Sequence, residues 1–190
     1  MAEPTTAVAA AAEPDWRRMD ESFPDRVVEL FHAHFARLFR YLDRLSGDPD
    51  LAADLAQETF TRLLARGSPP EVPEAWLITV ATNLLRNARA KDARHARLMT
   101  PARSVEVLGD PQALPSQAAE FSDARGRVRA VIERLPERDR QLLLLRAEGY
   151  AYREIAAALD LHEASVGTLL ARAKQAFREL YEESVDASCG

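Results

Sequence analysis

Apolar residues recur along this chain at helical intervals, and no segment shows the strict alternation of a half-buried strand. Val28, Phe31, Phe35, Leu38, Leu42 and Leu45 return every three or four positions, which predicts one long amphipathic helix from about Asp25. Ser46-Gly47-Asp48-Pro49 ends it. The Asp48 carboxylate can cap the free N–H groups of a second helix, and Pro49 suits a first turn whose N–H groups lack partners anyway. That helix is expected to reach about Arg66, where Gly67-Ser68-Pro69-Pro70 breaks the chain. Pro73 and Glu74 then open a third, from about Pro73 to Arg97.

The period is lost between 98 and 117, where Pro101, Gly109, Pro111 and Pro115 fall. Stretches this long without structure of their own are uncommon inside a compact domain, so this one reads as a flexible linker between two. Helical patterning resumes from Ala118 to Leu135 and is interrupted by Pro136. Glu137 to Ala147 forms the next helix, closed by Gly149, and Tyr152–Leu159 and Glu163 to about Tyr181 follow. The expected fold is all-α, with helical domains at 24–97 and 118–182. A disordered tail is expected over 1–23, the linker over 98–117 and a C-terminal tail over 183–190.

Composition narrows the chemistry. With 190 residues, 47% of them hydrophobic, the chain can bury a core. No apolar run approaches the roughly 18 residues of a membrane helix, so no membrane span is expected. Met1 to Ala12 has no basic residue ahead of its alanines and reads as a tail, not a signal peptide. The single cysteine, Cys189, excludes a disulfide within the chain and a cysteine-rich zinc site, and it fits a cytoplasmic location. His32, His34, His95 and His162 do not fall at ligand spacing, so no metal is expected. Glycine-rich phosphate loops and nucleophile elbows are missing as well. These readings point to no catalytic residue, no cofactor and no enzyme.

The net charge of −5 argues, as a total, against a simple nucleic-acid binder. Its distribution removes the objection. Residues 1–75 hold eight basic and fourteen acidic side chains, whereas 76–103 hold six basic residues and one acid.

The last two helices carry the most specific local signal. Tyr152–Leu159, a three-residue turn and a helix from Glu163 have helix-turn-helix spacing. Val166, Leu170, Ala173 and Phe177 share one face of the last helix. Ser165, Thr168, Arg172 and Gln175 share roughly the opposite one, and these are groups suited to phosphates and base edges. Asp160 stands where such turns often have glycine, and aspartate tolerates the left-handed conformation better than most residues. The bare pattern also fits an ordinary helical hairpin with a solvated polar face.

Leu135-Pro-Glu-Arg-Asp-Arg-Gln-Leu142, Tyr152-Arg-Glu-Ile-Ala156, Ser165-Val166 and Arg172-Ala-Lys174 together resemble region 4 of sigma-70 factors. Asp54-Leu-Ala-Gln-Glu-Thr-Phe60 and Ala75-Trp-Leu-Ile-Thr-Val-Ala-Thr-Asn83 are similar to parts of region 2 of the same family. Order, spacing and the short linker resemble the two-domain extracytoplasmic-function (ECF) group over about 24–97 and 118–182. The resemblance implies an RNA polymerase sigma factor, a dissociable initiation subunit that hydrolyses nothing and uses no cofactor. Its implied partners are core polymerase, through the β′ clamp and the β subunit, and promoter DNA. An anti-sigma factor is a further partner that such a family allows.

By the same resemblance, Asp54, Leu55, Gln57, Glu58, Phe60 and Thr61 form the polymerase-docking set. Acidic and amide groups there would give steering and register more than raw affinity. The −10 set is Trp76, Thr79, Thr82, Asn83, Arg86, Arg89, Lys91 and Arg94, on a helix expected to bury Leu77, Val80, Ala81, Leu84 and Ala88. A melted strand needs cations for its phosphates and a pocket or stacking surface for an extruded base. As a bare residue at a helix start, Trp76 reads more readily as core than as a stacking platform. The −35 set is Ser165, Gly167, Thr168, Arg172 and Lys174. Thr79, Thr82, Ala90, Gly167 and Leu169 stand where many relatives are basic, which implies weaker nonspecific DNA binding and a smaller salt slope. The rival reading is a stand-alone helix-turn-helix regulator, against which the Asp54–Phe60 motif counts.

Overall fold

The computed structural model describes residues 22–98 and 117–189, with side chains from 22 to 95 and from 126 to 186. Most of the expected N-terminal tail and linker therefore lie outside the described residues. Seven helices build the described chain, which contains no strand: α1 (Phe23–Ser46), α2 (Pro49–Arg66), α3 (Pro73–Leu98), α4 (Gln117–Arg134), α5 (Glu137–Ala147), α6 (Tyr152–Leu159) and α7 (Glu163–Cys189).

Local chemistry sets most of the boundaries. Gly47 ends α1 at φ 78°, returning its N–H to the Asp43 carbonyl. A Cβ there would meet only the mobile end of the Arg129 side chain from α4, so it is the left-handed backbone that favours glycine here. The Asp48 carboxylate accepts from the N–H groups of Asp50 and Leu51, each at 3.0 Å, and starts α2. Asp160 closes α6 in the left-handed conformation, φ 53° and ψ 53°, as its residue type suggested.

Four boundaries or positions differ from the sequence reading. Phe23, assigned to the tail, is the first residue of α1 and is buried, because its ring joins the core. α7 continues to Cys189 instead of stopping near Tyr181. On α3 the buried residues are Ala75, Leu77, Ile78, Ala81, Thr82 and Leu85, whereas Val80, Leu84 and Ala88 are only partly buried. The stripe is rotated because α3 packs against α1 and α2 and also against α6. Val28, read as a core position, is 54% exposed.

α1, α2 and α3 pack together, as do α4, α5, α6 and α7 around α7. The two halves also meet, α3 against α6 and α1 against α5. One buried cluster runs through both, from Leu38, Leu42 and Leu63 to Leu142, Ile155 and Leu170.

Candidate nucleic-acid interface

α2 divides cleanly between packing and display. Ala52, Leu55, Ala56, Thr59, Phe60 and Leu63 are buried, while Asp54, Gln57, Glu58 and Thr61 are exposed on the outer face. Two members of the expected docking set, Leu55 and Phe60, are thus mainly supports, at 8% and 5% exposure. Thr59 satisfies its buried hydroxyl by donating to the Leu55 carbonyl at 2.7 Å. Glu58 is held by Arg62 at 2.8 Å, one turn along. Beside this polar face lies an apolar groove of about 350 Å³, lined by Val27, Val28, Phe31, Gln57, Phe60, Thr61 and Leu64. Phe31 forms its floor, stacked on Phe35 at 4.5 Å and edge-on to Phe60 at 5.1 Å. The sequence reading missed Val28, Phe31 and Leu64 as surface residues. The helical period does mark the first two, but as core.

On α3 the expected −10 residues split three ways. Trp76 is partly buried and packs against the core, as a helix-start aromatic often does. Thr82 is buried, its hydroxyl 3.2 Å from the Tyr41 hydroxyl. Asn83, Arg86, Arg89, Lys91 and Arg94 lie on the exposed side, but most are engaged. Arg86 donates to Asn83 Oδ1 at 3.3 Å and pairs with Glu137 of α5 at 3.4 Å. Arg89 donates to the Leu45 carbonyl and Arg94 to the Ala90 carbonyl. Thr79 donates to the carbonyl of Ala75 and also meets that of Ala158 in α6 at 3.3 Å. Arg97 lies outside the described side chains.

α6 and α7 form the expected helix-turn-helix. Val166, Leu170 and Ala173 are buried, and Thr168, Arg172, Lys174 and Gln175 face outward. Ser165 is partly buried, and its hydroxyl donates back to the His162 carbonyl at 2.7 Å. Gly167 is not forced by packing, since a Cβ there would only reach ordinary contact with Tyr152 at 3.6 Å. Its position leaves the backbone free for close approach by a ligand.

Where the halves meet, cations of α1 face anions of the C-terminal helices. Arg40 and Arg44 both reach the Glu148 carboxylate, at 2.8 and 2.7 Å, and its side chain is 2% exposed. Arg37 pairs with Glu154 at 3.1 Å and lies over the Tyr150 ring, 3.6 Å from its centre. Glu154 also accepts the Ala151 N–H at 2.8 Å, capping α6. Burial pushes the Tyr41 hydroxyl far above the ordinary tyrosine value, against the opposing hydrogen bond to Thr82. Burial raises Tyr150 as well, against Arg37. His34 is lowered, chiefly by burial, although Glu74 at 3.7 Å favours its charged form. No group of three metal-ligating side chains occurs among the described residues, and no described helix is long and apolar enough to cross a membrane.

Comparison with known proteins agrees with this geometry. Residues 30–95 match the sigma-70 region 2 family and residues 125–177 match sigma-70 region 4. The chain is 30% identical over 159 residues to the ECF RNA polymerase sigma factor SigL of Mycobacterium tuberculosis, covering 81% of this chain and 88% of SigL. It is also 30% identical over 156 residues to the ECF sigma factor SigE of Mycolicibacterium smegmatis, covering 80% of this chain but 60% of SigE. The fold resembles the sigma factor RpoE of Bartonella quintana, solved with the anti-sigma factor NepR, at a TM-score of 0.55 and 20% identity. That match covers 86% of this chain and 98% of RpoE. Two family matches in the expected order, on helices whose polar faces stand opposite their packing faces, place this chain in the ECF group of sigma-70 RNA polymerase sigma factors.

Proposed function

We propose that the chain joins core RNA polymerase through the outer face of α2, reads the −10 element with α3 and reads the −35 element with α7. The observation that carries this reading is the division of α2 and α7 into a packed face and an exposed polar face, within the two matched family regions. Asp54, Gln57, Glu58 and Thr61 would meet the β′ clamp, with Leu55 and Phe60 holding the helix in place and the groove at Phe31 and Leu64 accepting apolar side chains. Contacts of α4–α7 with the β subunit complete the docking. Asn83, Arg86, Arg89, Lys91 and Arg94 supply donors and charge for a melted strand, beside Trp76, Thr79 and Thr82.

On α7, Arg172 is placed for a base edge and Thr168 and Lys174 for phosphates, with Ser165 and Gly167 allowing the helix to come close. The role is non-catalytic and needs no cofactor or metal. It is exercised in the cytoplasm, where polymerase acts, and an anti-sigma factor is a fitting further partner. A stand-alone helix-turn-helix regulator leaves the match to region 2 without a purpose. Mixing the full chain with purified core should give a stable complex and promoter-dependent transcripts. Absence of core binding at low salt overturns the reading.

A further inference from the structure

The groove between α1 and α2 gathers exposed hydrophobic surface in one place. Of the five large apolar side chains exposed among the described residues, Val28 and Leu64 both stand on it, at 54% and 42% exposure. Phe31 and Phe60, edge-on at 5.1 Å, add an aromatic wall. Only Gln57 and Thr61 bring polar side chains to the lining, and the Thr61 hydroxyl is already donated to the Gln57 carbonyl at 3.0 Å. Such a lining gives a polar small molecule little to hold and suits bulky apolar side chains. Apolar surface concentrated in this way marks an interaction site, as the same residues scattered singly would not.

The chain just ahead of α1 carries a segment of matching chemistry. Between Ala9 and Ser22, Trp16 and Met19 are the only large apolar residues, and they lie three apart. That spacing puts two side chains on one side of a helical turn. Trp16 is seven residues before Phe23, the buried first residue of α1, and that length of chain spans up to ~25 Å. Phe31 lies eight residues after Phe23, ~12 Å along the helix axis, so a chain folding back beside α1 reaches the groove with length to spare. Charge favours the same meeting. Arg17 and Arg18 are the only basic residues ahead of Arg26, and Asp54 is exposed on α2 one turn before Gln57. A five-residue tether gives such a segment a roughly millimolar effective concentration, so even a weak contact fills the groove.

We propose that Trp16 and Met19 seat in this groove in the free chain, with the Arg17-Arg18 pair beside Asp54. The indole supplies most of the contact area, and the exposed charges supply register more than energy. The seat itself stands on the groove and on the adjoining sequence. Its consequence rests on the reading of the outer face of α2 as the polymerase-docking surface. Gln57, Thr61 and Leu64 would then be covered until the segment leaves, and segment and polymerase would compete for one surface.

The test uses the full chain with isotopically labelled valine and leucine methyl groups. In wild type, magnetisation transfer should connect the Trp16 indole to the methyls of Val28 and Leu64. Trp16→Ala should shift those methyl resonances by removing the ring current, and leave the methyls of Leu142 and Leu170 in place. A peptide of residues 13–22 added to this variant should shift them back. Absence of indole contacts, with Val28 and Leu64 resonances unmoved in the variant, overturns the seat. Contacts that arise only between differently labelled copies and fade on dilution give the groove to a second copy and overturn it as well. Core polymerase should bind Trp16→Ala about 5-fold more tightly than wild type, since the tethered competitor is lost. If the indole contacts are present and both proteins bind core equally, the seat stands and the groove is no part of the docking surface. If neither protein binds core, the seat stands and the polymerase reading fails.

Discussion

The polar faces of α7 and α3 are held in opposite ways. On α7, Thr168, Arg172, Lys174 and Gln175 are exposed, with Gln175 donating to Glu179 one turn along, while Val166, Leu170 and Ala173 pack beneath them, so the domain itself completes the surface. On α3, Thr82 is tied to Tyr41, Arg86 to Glu137, and Thr79 faces Ala158. One face is finished by its own core, and the other is engaged in part by the rest of the chain. Weak DNA binding, expected of the free protein from its few cations, would then have two separable causes. A low count of cations would act on both faces, and contacts within the chain, such as Arg86 with Glu137, on α3 alone.

The comparison breaks most forcefully if the halves are not one cooperative unit. Leu142 is fully buried in α5, within the cluster that runs through both halves. Leu142→Ala should cost about 2–5 kcal/mol through lost burial and the cavity left behind. Calorimetry should show a single transition moved to lower temperature. Two separated transitions, with only one of them shifted, would show that the shared cluster does not couple the halves.

A smaller change probes the free face alone. Arg172 is exposed and makes no contact needed by the core, so Arg172→Ala should leave the melting transition in place. It should weaken binding to the −35 element by about 1–3 kcal/mol, the worth of a lost base-edge contact. Equal affinity of wild type and variant for cognate and scrambled duplexes would remove Arg172 from recognition.

Tyr41→Phe asks the corresponding question of the covered face. It removes one partner of the buried Thr82 hydroxyl and should cost about 0.5–1.5 kcal/mol. Urea titration reads the change directly. An unmoved midpoint would mean that the Tyr41–Thr82 contact does not hold α3 against α1.

The same contrast explains what the sequence made legible. Local signals placed α5 and α6 at Glu137–Ala147 and Tyr152–Leu159, because Pro136, Gly149 and Asp160 act on their immediate neighbours. Asp48 and Gly67 did the same for α2. The two faces of α7 followed from a single helical period, since one packed side leaves one free side. On α3 the period failed, as a helix packed from two directions has no single stripe, and Ile78 and Leu85 were overlooked as core. The ion pairs between the halves lay furthest from reach. Arg40 and Glu148 are 108 residues apart, and a solvated arginine face reads the same in sequence whether or not it has a partner. The apolar groove was hidden for a related reason: Val28 and Phe31 carry the core's spacing, and only the packing shows that they line a surface.

The smallest effect tests whether the meeting of the halves is sensitive to protons. His34 on α1 faces Glu74 of α3, with Arg37 on its own helix and Glu154 of α6 nearby. Its folded value is lowered from 6.5, mainly because burial disfavours the imidazolium, with Arg37 adding to this and the two glutamates opposing it. The unfolded chain therefore takes up the His34 proton at a higher pH than the folded chain does. Stability from this group is complete above about 6.5 and declines as pH falls through 6.5 towards the lowered folded value. Wild type should lose more stability than His34→Gln when urea titrations at pH 8 and pH 5 are compared. Carboxylates remote from His34 are common to both proteins and cancel in that difference. If the two proteins lose the same amount, the burial of His34 among these charges has no linkage to folding.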